Sequence, residues 1–141
     1  MKAPERGSPL AEAVDRVGDR WTLLVVDALL RGPRRFNELV DDLPGIAPNI
    51  LSQRLKHLER ERVVVATPYS QRPLRLVYDL TASGRELAGA IRLLAQWGAG
   101  HAEDAHAPLH DACGTPLETR WFCPTCSRPV DEQEDSELGF V

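Results

Sequence analysis

Between Phe36 and Leu80 the chain carries an order of segments that few folds accommodate. Phe36, Leu39, Val40 and Leu43 recur at helical spacing, and Pro44-Gly45 then forces a turn. Pro48 opens a further helix running to about Arg60, with Leu51, Leu55 and Leu58 at i, i+4 and i+7. Val63-Val64-Val65 follows directly and, being β-branched throughout, reads as a strand. The run Leu74–Leu80 reads as a second strand, and Pro68–Pro73 between them is a polar hairpin loop. Two helices joined by the turn Pro44–Ala47 and followed at once by a β-hairpin describe a winged helix-turn-helix.

The flanks fit the same plan. Ser8 caps and Pro9 opens a first helix carrying Leu10, Val14 and Val17, which Gly18 stops. Asp19 caps a second helix that is apolar nearly all round from Trp21 to Leu30, the pattern of a helix in the middle of a core. Gly32-Pro33 ends it, and Arg34-Arg35-Phe36 is either a brief strand or the approach to the next helix. After the hairpin, Thr81 caps a long helix with Leu87, Ile91, Leu94 and Trp97 on one side, ending near Gly98–Gly100. With Ala88, Ala90 and Ala95 on its other faces, that helix has more apolar surface than one small domain covers, which favours a dimer seam. The fold class is mainly α with a small β-hairpin (α+β). Residues 8–100 form the winged helix and its dimerisation helix, 101–130 a Cys/His extension and 131–141 an acidic tail.

Charge alone points the other way at first. Seventeen Lys+Arg against twenty-one Asp+Glu give a net −4, whereas a nucleic-acid face is normally basic. The total hides a split. Met1–Gly100 holds fifteen basic and twelve acidic residues, net +3, and His101–Val141 two basic and nine acidic, net −7. No apolar run approaches the ~18 residues of a membrane span, and the first ten residues lack the apolar core of a secretion signal. The compartment reads as cytoplasmic.

On a helical wheel the Pro48–Arg60 segment turns Leu51, Leu55 and Leu58 to one side and Asn49, Gln53, Lys56 and Arg60 to the other, with His57 at the flank. Each of these far-side groups can donate a hydrogen bond and none is an acid. Asn and Gln pair bidentately with adenine in the major groove; Lys and Arg serve guanine or phosphate. Any exposed helix face is polar, so the neighbours matter. The hairpin loop adds Gln71, Arg72 and Arg75 without an acid, and Arg31, Arg34 and Arg35 precede the first helix of the pair. Arginines there would sit on phosphates or enter the minor groove. The expected contacts to double-stranded DNA are therefore Asn49, Ser52, Gln53, Lys56 and Arg60 on the helix, Arg72 and Arg75 on the wing (68–75), and Arg34 and Arg35.

The chain resembles the HxlR-type transcriptional regulators. The matching stretches are Val17-Gly18-Asp19-Arg20-Trp21-Thr22-Leu23-Leu24, Arg35-Phe36-Asn37-Glu38-Leu39, Gly45–Leu55, and Pro68-Tyr69 through Pro73 to Tyr78-Asp79-Leu80-Thr81, in order across residues 8–98. The resemblance implies a homodimeric winged-helix DNA-binding protein that dimerises through its first and last helices. Three positions depart from the family pattern. Ser8 stands where members often carry a sensing cysteine, Ala47 where a serine usually precedes Pro48, and Arg62 where a glycine usually precedes the first wing strand.

All three cysteines fall in the extension. His110-x2-Cys113 and, after nine intervening residues, Cys123-Pro-Thr-Cys126 are spaced for tetrahedral zinc, and Cys-Pro-x-Cys resembles a zinc-ribbon knuckle, with Thr119, Trp121 and Phe122 leading into it. His101 or His106 are alternative fourth ligands, and a single disulfide or free thiols are alternative states. A thioredoxin-like redox site is disfavoured because no βαβ unit surrounds the motif. No conjunction of nucleophile, base and oxyanion donors suggests an enzyme. The expectation is a DNA-binding regulator on a pseudo-palindromic operator, with a winged-helix adaptor that contacts proteins instead of DNA as the alternative. No residue pattern singles out a small-molecule effector.

Overall fold

The structure is a computed structural model that describes residues 7–103 and 108–130. The chain divides into two compact units, Met1–Arg92 and Leu93–Val141.

In the first unit, α1 (Pro9–Val17) is capped by Ser8, whose hydroxyl accepts from the Ala11 N–H at 3.1 Å. Gly18 then lets α2 (Arg20–Leu30) follow at once: a Cβ there would lie 2.4 Å from the Val14 carbonyl oxygen. Asp19 caps α2 through the Thr22 N–H at 3.0 Å, and the fully buried Thr22 hydroxyl donates to the same carboxylate at 2.5 Å. That second bond satisfies the one buried polar side chain of the described core, which would otherwise be a costly orphan. β1 (Arg34–Arg35) and α3 (Phe36–Asp42) follow, and the Glu38 carboxylate accepts from the Arg35 N–H at 2.7 Å. The Pro44–Ala47 turn, with Gly45 at φ 86°, leads into α4 (Pro48–Arg60).

α4 ends in a Schellman turn. The Val63 N–H reaches the Leu58 carbonyl at 2.9 Å and the Arg62 N–H that of Glu59 at 3.0 Å, and Leu58 and Val63 are both buried. The turn needs a left-handed residue, and that residue is Arg62 at φ 59°, where the family's usual glycine would rest unstrained. Thr81 clamps it, its hydroxyl donating to the Arg62 carbonyl at 2.6 Å.

β2 (Val64–Gln71) and β3 (Leu74–Leu80) form the antiparallel hairpin, with β1 on the other side of β3 to give the order β1-β3-β2. The strands run further than sequence indicates. Residues 68–71, expected as loop, belong to β2, and only Arg72-Pro73, joined by a cis peptide, connects the strands. Pro68 is tolerated because β2 is an edge strand and the register shifts between Pro68 and Ser70.

The helix expected from Thr81 to Gly98–Gly100 is likewise interrupted. Thr81 does cap it, accepting from the Gly84 N–H at 3.1 Å, but α5 (Ala82–Arg85) stops at Glu86 and α6 (Ala88–Ala99) starts anew. The Leu87 N–H bonds back to Gly84, three residues away, so the junction is a tightened turn. Glycines 84 and 89 bracket it, the residues that least favour helix.

The core of this unit is one cluster. Val25, Val26 and Leu29 of α2, Leu39 of α3, and Leu51, Leu55 and Leu58 of α4 pack with Val63, Val64, Leu80 and Ile91. The leucine stripe read on α4 is thus the stripe that is buried. In the second unit, β4 (Trp121–Cys123) and β5 (Arg128–Val130) pair antiparallel, and Leu109 and Pro116 form an isolated bridge.

Candidate nucleic-acid interface

Burying Leu51, Leu55 and Leu58 to within 1% exposure fixes how α4 is turned. Asn49, Gln53, Lys56 and Arg60 consequently stand exposed on the opposite side, and Ser52 is half-buried between the two faces. His57, at the flank, is otherwise engaged: its Nε2 lies 2.7 Å from the Arg16 carbonyl, tying α4 to α1. Arg54 belongs to the inner side, with Nε 3.5 Å from Asp19 Oδ2. That nitrogen is buried with no hydrogen-bond partner among the described residues, so the pair acts by charge and not by an aligned bond. Burial pushes the Asp19 carboxyl up, but the Thr22 hydroxyl and N–H, the Arg54 charge and the Trp21 N–H outweigh it and hold the group below its ordinary value. The cap of α2 and the seating of α4 therefore share one carboxylate.

The wing supplies Arg72 at its tip and Arg75 opposite Ser70, both exposed. Arg35 points toward the hairpin, its guanidinium 4.5 Å above the Tyr69 ring. Phe36, Asn37, Glu38, Leu74 and Tyr78 join these to line an open groove of about 420 Å³ between the start of α3 and the wing. Arg34 differs from its neighbour. Half-buried, it donates from Nε to Asp42 at 2.9 Å and from Nη1 to the Pro33 carbonyl at 3.1 Å, so it fastens β1 to α3. Of the nine positions expected to meet DNA, Arg34 alone has its guanidinium in such an internal ion pair. Tyr69 was not among them, although a Pro-Tyr pair on the wing strand was a usable signal, since an aromatic face beside arginines holds a guanidinium flat.

This helix-turn-helix-wing arrangement matches known proteins. The HxlR-like helix-turn-helix family profile fits residues 16–106. The chain belongs to the HxlR family. It is 36% identical over 128 residues to the HTH-type transcriptional regulator Rv3095 of Mycobacterium tuberculosis, covering 88% of this chain and 80% of that protein. YvaP of Bacillus subtilis is 40% identical over 97 residues, 69% of this chain and 90% of its own. Among solved structures, the HTH-type transcriptional regulator ytcD superposes with a TM-score of 0.63 at 32% identity, over 67% of this chain and 97% of that one. The redox regulator HypR in its reduced form gives 0.64 at 29%, over 68% and 95%. The chain is accordingly a DNA-binding transcriptional regulator and not an enzyme, and none of these relatives is named as an adaptor.

Two features of this HxlR chain lie outside the α4 and wing face. The first is apolar surface. On α1, Leu10 and Val14 are exposed and only Val17 is buried. Leu87, in the turn before α6, is half-buried and Ile91 on α6 is buried, whereas Leu93, Leu94 and Trp97, at 70%, face solvent. The stripe expected along one side of that helix thus passes from covered to uncovered. No helix among the described residues is long and apolar enough to cross a membrane.

The second is the cysteine set, whose three thiols are free. His110 and Cys113 are neighbours, Nδ1 to Sγ 3.3 Å, and Cys123 and Cys126 flank the β4–β5 turn. Hydrogen bonding by the Thr115 hydroxyl and N–H holds the Cys113 thiol below its ordinary pKa. The Cys126 N–H, then its side chain, does the same for Cys123. Among the described residues no three of His, Cys, Asp and Glu stand close enough to hold an ion together. The acidic tail over 131–141 and His106 lie outside the described residues.

Proposed function

We propose that this regulator acts in the cytoplasm as a homodimer reading a pseudo-palindromic operator in double-stranded DNA. α4 enters the major groove, where Asn49, Ser52, Gln53, Lys56 and Arg60 meet base edges and flanking phosphates. Arg72, Arg75 and Arg35 hold the sugar–phosphate backbone or the adjacent minor groove, and Arg34 fixes the strand that presents Arg35. The observation that carries this reading is the division of α4, a leucine face sealed in the core and an opposite face of amide and basic side chains left open.

Support for the dimer comes from the apolar side chains that α1 and α6 leave in solvent. Rows of Leu and Trp along helices, unlike isolated exposed leucines, mark association surfaces. Residues 101–130 form a zinc-ribbon-like extension appended to this regulator.

Titrating the protein into labelled duplexes tests the central point. A duplex from the gene's own upstream region should bind at least ~10³-fold tighter than random DNA of equal length, the usual specificity of such regulators. Equal affinity for both would refute base reading by α4.

A further inference from the structure

Helix α1 stands almost clear of the core. Val17, its last residue, is its one buried side chain, and Leu10 and Val14 are apolar and exposed. Gly18 joins the helix to α2 at that same end, so its direction depends on what meets its flank.

What meets it is the C-terminal part of α4, and both links among the described residues end on Arg16. The Arg16 carbonyl lies in the last turn of α1, where carbonyls lack a partner within the helix. His57 Nε2 fills that place at 2.7 Å. A carbonyl only accepts, so Nε2 carries the hydrogen. The Arg16 guanidinium donates from Nη1 to Glu61, the residue that ends α4, at 2.8 Å. Glu12, one turn back on α1, takes Nη2 of the same guanidinium at 2.6 Å, which steadies the arginine on its own helix before it reaches across. His57 and Glu61 are both half-buried, while Gln53, Lys56 and Arg60 beside them are open to solvent.

In a dimer built on α1 this joint is a lever. The separation of the two α4 helices follows from the α1–α4 angle in each protomer. Helices that read successive major grooves on one side of the duplex stand about 34 Å apart. One base pair more or less moves a half-site by about 3.4 Å along the axis and turns it by about 35° around it. A small change in the joint is therefore enough to miss a groove.

We propose that His57 and Glu61 are positioning residues for operator recognition. By gripping Arg16 they fix the angle between α1 and α4, and with it the half-site spacing that the protein accepts. Neither residue contacts DNA in this arrangement, which rests on the homodimer reading given above.

Selecting bound sequences from a random duplex library with the full-length protein reads the spacing directly. Wild type should select paired half-sites at one spacing, about tenfold over spacings one base pair shorter or longer. His57→Ala and Glu61→Ala should select the same half-site sequence, with neighbouring spacings within about threefold of one another. His57→Gln, whose amide N–H can stand in for the Nε2 hydrogen, should restore the wild-type preference. All three variants should bind a duplex with one selected half-site within about twofold of wild type, which a partly unfolded protein would not do. A sharp spacing preference retained in His57→Ala, or an equal loss on single and paired half-sites, overturns the positioning role. Wild type that selects lone half-sites overturns the dimer reading itself, and the positioning role with it.

Discussion

The winged-helix unit and the extension hold their shapes by different means. Every buried apolar side chain of the described protein falls between Val17 and Ile91. Beyond them lie the rest of α6 and then, past it, a short hairpin and turns with aromatics in solvent. The first region presents the polar face of α4 as a by-product of packing, because burying its three leucines leaves the amide and basic groups no other side to occupy. The second has no buried side chain among its described residues. A core positions a surface by itself; a segment without one takes its shape from strand pairing and local turns.

The comparison breaks most readily in the core. Leu55→Ala should destabilise the protein by about 2–5 kcal/mol in urea unfolding and abolish DNA binding near its shifted midpoint, since both α4 faces are set by that side chain. A loss under about 1 kcal/mol would mean that α4 is held by something other than its leucines.

A smaller effect should come from the turn after α4. Arg62→Gly should raise stability by about 1 kcal/mol, because glycine accepts the left-handed conformation of the Schellman turn without strain. A destabilised variant would show that the Arg62 side chain contributes more than its backbone costs.

The smallest concerns Asp19. Its folded pKa is depressed, so its contribution to stability is complete above the unfolded value of about 3.9 and is lost as pH falls through the lower folded value. The stability gap between wild type and Asp19→Asn should therefore be constant near neutrality and close below about pH 4. A gap that persists unchanged at pH 2 would remove the carboxylate's charge from the account.

Much of this was legible because local and tertiary signals agree. Leu51, Leu55 and Leu58 sit at helical spacing and are buried, and Ser8, Asp19 and Thr81 cap where capping residues stand. The departures arise where pairing or packing overrides local preference. Pro68 and a polar run read as loop, yet pairing with Leu76 draws β2 out to Gln71. The helix after Thr81 reads as continuous from its periodicity, which does not register the junction at Glu86–Leu87. At the site, spacing could place Asn49, Gln53, Lys56 and Arg60 on one face. It could not show that Arg34 is spent on Asp42 while Arg35 lies over Tyr69, because those pairings join residues 8 and 34 positions apart.

The claim that α4 reads sequence while the wing supplies charge is tested most directly by one paired measurement, operator and random-duplex affinities across a salt series for Gln53→Ala and Arg72→Ala. Arg72→Ala should weaken both duplexes alike and flatten the log–log salt slope by about 1, whereas Gln53→Ala should leave the slope unchanged and lose about 1–3 kcal/mol on the operator alone. The reverse pattern, or equal loss on both duplexes from Gln53→Ala, would contradict it.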